Sequence, residues 1–223
     1  MEGKQITTDE NENLYVVGVG TSAGGLDALT KLLSTFKGVR ADFCLVVVMH
    51  LSPKYKSELT SILSKRCNWP VVTIENNLQM KSGYIYVTPQ DSDLHIEETK
   101  LKLDALPLDY ATAPSIDSFF SSLANARKNK CVGIILSGFG SDGSQGIMEI
   151  KNNNGFTIAQ YPDTAEYGDM PNAAIKTQMI DMVIPPELMF EEIAQFIRSS
   201  RAIAANSPKQ KNIDAIFKLL KKR

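Results

Sequence analysis

The sequence predicts an α/β fold, a three-layer, doubly wound, mostly parallel sheet with an antiparallel hairpin at its edge. Three observations predict it. Apolar runs at Leu14–Val19, which carries no charge, Asp42–His50 and Cys131–Ser137 have the character of strands buried in a parallel sheet. Stretches with apolar residues at helical spacing lie between such runs, as right-handed crossover connections require. Residues 93–103 alternate polar and apolar side chains about a short polar turn, the pattern of a hairpin with one wet face. A chain of 223 residues is long enough for one such domain with a well-covered core.

Taken in order, residues 1–13 are polar and acidic, lack the basic and apolar regions of a secretory signal, and read as a disordered lead-in. The first strand runs into Gly20-Thr21-Ser22-Ala23-Gly24, and a helix follows to about Phe36, with Gly38 placed where a helix stops. Asp42–His50 is the second strand. Ser52-Pro53-Lys54 opens a helix through Leu63. Trp69–Ile74 and Gly83–Pro89 are short strands, and residues 93–97 and 100–103 form the hairpin. Pro114 sits in the first turn of a packing helix through Ala124. Cys131–Ser137 is the third buried strand and ends in the glycine loop Gly138–Gly143, before a helix starting near Ser144. Gly155–Gln160 and Met179–Ile184 are further strands around a short helix at Met170–Ile175, and a helix from about Glu187 to Arg198 closes the domain. Ser199–Lys211 reads as a linker, and Asn212–Arg223 as a basic-ended helix that could begin a following domain. The expected organisation is therefore a tail at 1–13, a catalytic domain at 14–198, and a linker with the start of another domain at 199–223.

The 24 basic and 25 acidic residues leave a net charge of −1, which supplies no general electrostatic reason to bind nucleic acid or an anionic membrane. No apolar run approaches the roughly 20 residues of a membrane span, so no membrane insertion is expected. Cys44, Cys67 and Cys131 are odd in number and far apart, suggesting buried thiols in a reducing cytoplasm.

The residues just past the central strands carry the chemistry. Gly20–Gly24 has the form G-x-S-x-G, which can lift a serine hydroxyl clear at the head of a helix. The same stretch, from Gly18 to Ala23, also satisfies a loose dinucleotide fingerprint, and Ser22 could simply cap the helix. The rest of the chain favours catalysis. In a parallel unit Ser22 and His50 both lie beyond the carboxyl ends of neighbouring strands, and Asp142 joins them after the third. His50 occupies the place where a dinucleotide site wants an acid. Serine needs a base, and imidazole needs a carboxylate to fix its tautomer and stabilise its cation. Ser22, His50 and Asp142 supply these parts. Asp142, taken alone, would cap the helix near Ser144. If instead it orients His50, Asp142→Asn should leave the fold intact and cut turnover by as much as about 10,000-fold. An oxyanion hole is expected from the amide of Ala23 and from the loop around Phe139. The second histidine, His95, reads as a partly exposed hairpin position. Neither metal-ligand spacing nor a cofactor motif is left over, so a hydrolase with no cofactor and no metal is expected.

These residues also resemble a known family. Val17–Gly25, the His50 segment, Tyr84–Pro89, Pro114–Asp117, Leu136–Gly143 and Met170-Pro171 are similar, in order from about Tyr15 to Phe196, to the catalytic domain of the chemotaxis receptor methylesterases, the CheB family. The resemblance implies a protein-glutamate methylesterase and glutamine deamidase acting on chemoreceptor cytoplasmic helices, with its triad on Ser22, His50 and Asp142. Ala23 stands where many members have threonine, Met49 where glutamine often precedes the histidine, and Phe139 where methionine is common. Gly168-Asp169-Met170-Pro171 separates the usual Gly-Met-Pro by one residue. A receiver domain, through which many members are regulated, is not expected ahead of Leu14. His50–Ser57 and the Ser-Ala-Gly-Gly turn look more like members fused to a methyltransferase domain, which would make that domain a partner in a longer parent chain. Two alternatives stay open at this level: a catalytically idle receptor-docking module, and a dinucleotide-binding oxidoreductase.

Overall fold

The computed structural model describes residues 13–36, 42–50, 59–90, 92–106 and 115–206. Its first element, β1 (Tyr15–Thr21), is buried along its whole length, as the absence of charge and the β-branched content of the run require. It leads through a tight turn into α1 (Gly25–Ser34), which returns to β2 (Phe43–Met49), also buried throughout. Then come α2 (Leu59–Ser64), β3 (Val71–Thr73), β4 (Leu78–Gln79), β5 (Ile85–Val87), β6 (Ser92–Glu97) and β7 (Lys100–Ala105). The second half contains α3 (Ile116–Arg127), β8 (Cys131–Ile135), α4 (Ser144–Asn152), β9 (Phe156–Gln160), α5 (Asp169–Lys176), β10 (Met182–Ile184) and α6 (Pro186–Ala205).

Seven strands form one sheet in the order β10-β9-β8-β1-β2-β5-β3, and every neighbouring pair in it is parallel. The doubly wound expectation is met. β1 lies between β2 and β8, so the chain moves outward in opposite directions from this centre. The hairpin β6–β7 forms in the expected place, but it does not extend the main sheet. It pairs with β4 in a separate three-stranded antiparallel sheet. The reason is its apolar face: Leu94, Ile96 and Leu101 are buried in the core that also holds α3, and the Ile96 amide donates to Ser122 Oγ of α3 at 3.1 Å. β4 has only two residues, too few for alternation to reveal it in sequence.

The two faces of the sheet carry different cores. On one, Val16, Cys44, Val46, Val48 and Tyr86 meet Phe119, Phe120 and Leu123 of α3. On the other, Phe43 packs against Phe36, Trp69 and Phe190, with ring centroids 5.2 Å apart for Phe43 and Trp69 and 4.7 Å apart for Phe36 and Phe190. These layers hold the strand ends in fixed register. All three cysteines are free and buried. Among the described residues no helix is long and apolar enough to cross a membrane.

The chain divides into two compact units, Met1–Phe190 and Glu191–Arg223. In the second, helix continues through Ala205, so the first part of the segment read as linker is helical, and Glu191 pairs with Arg198 at 2.7 Å. The tail at 1–12, the helix start at 51–58, Gly38, Pro114 and the terminal helix at 212–223 lie outside the described residues.

Candidate active site

Register brings the first two residues together. Thr21 of β1 stands opposite Met49 of β2, so Ser22 and His50 leave the sheet side by side, and the His50 amide donates to the Thr21 carbonyl at 3.1 Å. On the other flank the Leu136 amide donates to Gly20, and the Ser22 amide to Ser137, each at 3.0 Å. The crevice thus opens beyond the carboxyl ends of β2, β1 and β8, where strand order reverses, the usual ligand position in such sheets.

The turn after β1 is closed by the Gly25 amide donating to the Ser22 carbonyl at 3.0 Å. Gly24 carries the left-handed conformation, φ 71° and ψ −3°, as the third residue of a type II turn requires. Ser22 is not among the positive-φ residues, so the backbone demand falls on glycine and not on the serine. Ser22 does not cap α1 either: the N-cap is Gly24, with no side-chain bond. The amides of Ala23 and Gly24 donate to no carbonyl or side chain among the described residues. The dinucleotide reading fails on Gly18 and Gly20. Both lie within β1 beneath α3, where an added Cβ would sit 2.8 Å from Leu123 Cδ2 and 2.4 Å from Ile116 Cγ2, respectively. Their surroundings are side chains, with no room for a pyrophosphate.

His50 Nε2 bonds Asp142 Oδ2 at 3.0 Å, the two side chains being about a quarter exposed. That oxygen also accepts the Ile116 amide at 2.9 Å. Oδ1 accepts the amides of Asp117 at 3.0 Å and Gly143 at 2.9 Å. Asp142 is therefore a cap, though of α3 and not of the helix after it: α4 is capped by Gly143, which offers no side chain. Burial acts to raise the Asp142 carboxyl, but the bonds from His50 and from the Ile116 and Asp117 amides outweigh it and hold the group below the usual carboxylate range. A carboxylate on Nε2 fixes the neutral ring as the Nε2–H tautomer, in which Nδ1 is the basic nitrogen.

An open cleft of about 690 Å³ is lined by Ser22, Ala23, Gly24, His50, Arg66 and Glu166, among others. Asp142 is not among its lining residues and is reached through His50. The loop after β8 closes one wall. A Cβ on Gly138 would lie 2.9 Å from Ser22 Cβ and 2.1 Å from Met170 Sδ, so only glycine fits beside the serine. Ser137 Oγ ties this wall together, donating to the Ala23 carbonyl at 2.8 Å and accepting the Tyr167 amide at 3.0 Å. The Gly138 amide is engaged by the Tyr167 carbonyl at 3.0 Å and the Gly143 amide by Asp142 Oδ1, whereas the amides of Phe139, Gly140, Ser141 and Asp142 donate to no carbonyl or side chain among the described residues. The Phe139 side chain is 58% exposed, its ring 4.1 Å from that of Tyr167. His95 lies away from this chemistry, its Nδ1 3.2 Å from Asp104 Oδ2 in the hairpin. Among the described residues no cluster of His, Cys, Asp or Glu could hold a metal ion.

Sequence reasoning missed Gly138, Arg66, Glu166 and Asp117. Gly138 was visible as a glycine just past a central strand; Arg66 and Glu166 come from loops whose spatial position no pattern encodes. The packing helix that contains Asp117 turns out to hold Asp142 through its first amides.

Residues 17–193 match the family model described as CheB methylesterase. A Leptospira interrogans protein named putative protein-glutamate methylesterase/protein-glutamine glutaminase is 35% identical over 188 residues, which cover 83% of this chain and 95% of that protein. A Pyrococcus abyssi protein named protein-glutamate methylesterase/protein-glutamine glutaminase is 30% identical over 83% of this chain, which spans about half of its length, 51%. The crystal structure of the Thermotoga maritima CheB methylesterase catalytic domain superimposes with a TM-score of 0.72 at 26% identity, covering 81% of this chain and 97% of that one. With the doubly wound sheet and the residues gathered at its carboxyl edge, these matches establish that the chain belongs to the CheB methylesterase family.

Proposed function

We propose that this protein is a protein-glutamate methylesterase, and a protein-glutamine deamidase, that acts on methyl-accepting chemoreceptor helices by serine catalysis. The observation that carries the reading is the His50–Asp142 bond, anchored by three backbone amides, in a crevice that Ser22 and His50 line together. Ser22 Oγ attacks the ester carbonyl while His50 Nδ1 takes its proton, and Asp142 stabilises the imidazolium. The oxyanion is received by the Ala23 amide, at the head of α1, and by the Phe139 amide. His50 returns the proton to the departing methoxide, releasing methanol. Water, activated by the same ring, then hydrolyses the acyl-enzyme to glutamate. With an amide substrate the leaving group is ammonia. A methyltransferase domain in a longer parent chain and a cytoplasmic location fit the same substrate.

The test is methanol release from a methylated chemoreceptor, with Ser22→Ala as control. Alanine keeps the Cβ that packs against Gly138, so the melting temperature should stay close to that of the parent while release falls to background. Retained release in the variant would remove Ser22 as nucleophile. A folded parent without release would favour a docking module.

A further inference from the structure

Helices α3 and α4 meet at their N-termini, and each is held by the aspartate at the head of the other. Asp142, just ahead of α4, accepts the first amides of α3, those of Ile116 and Asp117. Asp117, in the first turn of α3, accepts the Gly146 amide of α4 through Oδ1 at 2.7 Å. The helices are as close there as glycine allows: a Cβ on Gly146 would lie 2.4 Å from Phe120 Cβ and 3.0 Å from the Asp117 carbonyl. Asp142 thus depends on Asp117 twice, once through the Asp117 amide and once through the helix that its side chain grips.

We propose that Asp117 is a positioning residue, whose carboxylate locks the head of α4 to the head of α3 and so holds Asp142 against His50. The inference rests on the assignment of Ser22, His50 and Asp142 to the reaction above. Among the described residues the ionisable group that bears on Asp117 is Asp142, whose Oδ1 accepts the Asp117 amide and whose Oδ2 bonds His50. Burial foremost, and the charge of Asp142 beside it, raise the Asp117 carboxyl, while the Gly146 and Gln145 amides oppose the rise. Once ionised, Asp117 places a second negative charge behind the partner of His50 and favours the imidazolium.

Two variants separate positioning from mere support. Asp117→Asn keeps an oxygen for the Gly146 amide and removes the charge; Asp117→Ala removes both. The chain has two histidines, so NMR titration reads His50 directly, with His95→Gln to assign the signals. The His50 midpoint should fall by about half a pH unit in Asp117→Asn, with kcat within a few-fold of the parent. In Asp117→Ala the midpoint should fall too, and kcat should drop by as much as about 100-fold at unchanged KM, the scale of a misplacement of about 1 Å. A His50 midpoint that stays at the parent value, or an Asn variant as impaired as Ala, overturns the proposal. Should Asp117→Ala fail to fold, the titration of Asp117→Asn decides alone. Titration needs no turnover, so a parent that releases no methanol would count against the proposed reaction and leave this test intact.

Discussion

Asp142 caps α3 and bonds His50 with the same carboxylate, so the cap and the role proposed for it in the reaction do not exclude each other. Its carboxylate receives four donors, two on each oxygen, which uses the full acceptor capacity of the group. Asparagine has one acceptor oxygen, and its amide would turn hydrogens toward two of those donors. Asp142→Asn should therefore lose turnover by as much as about 10,000-fold and also lose about 1–3 kcal/mol of stability. The second loss departs from the expectation, reasonable for a simple cap, that the fold would be untouched. The pH dependence has a definite sign. Against the upward push of burial, His50 and the helix amides hold the native carboxyl below its unfolded value, so its stabilisation is complete above about pH 5 and is lost as pH falls below about 4, through the lowered native value. Melting temperatures of parent and variant should differ most near neutrality and converge on acidification. A difference that stayed constant down to low pH would show that the charge contributes nothing.

Among the elements, α3 links packing to chemistry, because it covers Gly18 and Gly20 of β1 with one surface and binds Asp142 with its first turn. The sequence made β1, β2 and β8 legible, since buried parallel strands advertise themselves as uncharged apolar runs, and the residues just beyond such strands share one edge by topology. It did not show which helix Asp142 caps, because Asp142 and Ile116 are distant in sequence and no local pattern records their meeting. A matched pair of substitutions tests the link. Gly20→Ala places a Cβ 2.4 Å from Ile116 Cγ2, and Gly18→Ala places one 2.8 Å from Leu123 Cδ2. Each should destabilise by about 1–3 kcal/mol through overpacking. Ile116 donates to Asp142 and Leu123 lies further along the helix, so Gly20→Ala should also lower kcat markedly while Gly18→Ala leaves it near the parent value. Equal kcat losses in the two variants would separate the acid from the seating of the helix.

At the scale of the molecule, the doubly wound order was legible because each crossover leaves an apolar strand and an amphipathic helix in sequence. The placement of the hairpin on the α3 side was not, because alternation gives a wet face and a dry face without saying which core the dry one joins. The cysteines supply a probe of that architecture. Cys44 lies in β2 and Cys131 begins β8, on either side of β1, and burial pushes both thiols up to about 12. Cys67 lies just beyond the short α2, and burial raises it as well. Thiolate is the reactive form, so none should react appreciably with a thiol reagent near pH 8 in the folded chain. Because β1–β2 and β1–β8 are central pairs, Cys44 and Cys131 should become reactive only through opening of the parallel sheet, with rates that rise with denaturant as steeply as global unfolding. Cys67, beside a six-residue helix, should react through a smaller local opening, faster and with a weaker denaturant dependence. Labelling of the separated peptides over a denaturant series measures all three. Reaction of Cys44 at a rate independent of denaturant would mean that the centre of the sheet opens without unfolding, and the fixed register that brings Ser22 and His50 together would no longer follow from the fold.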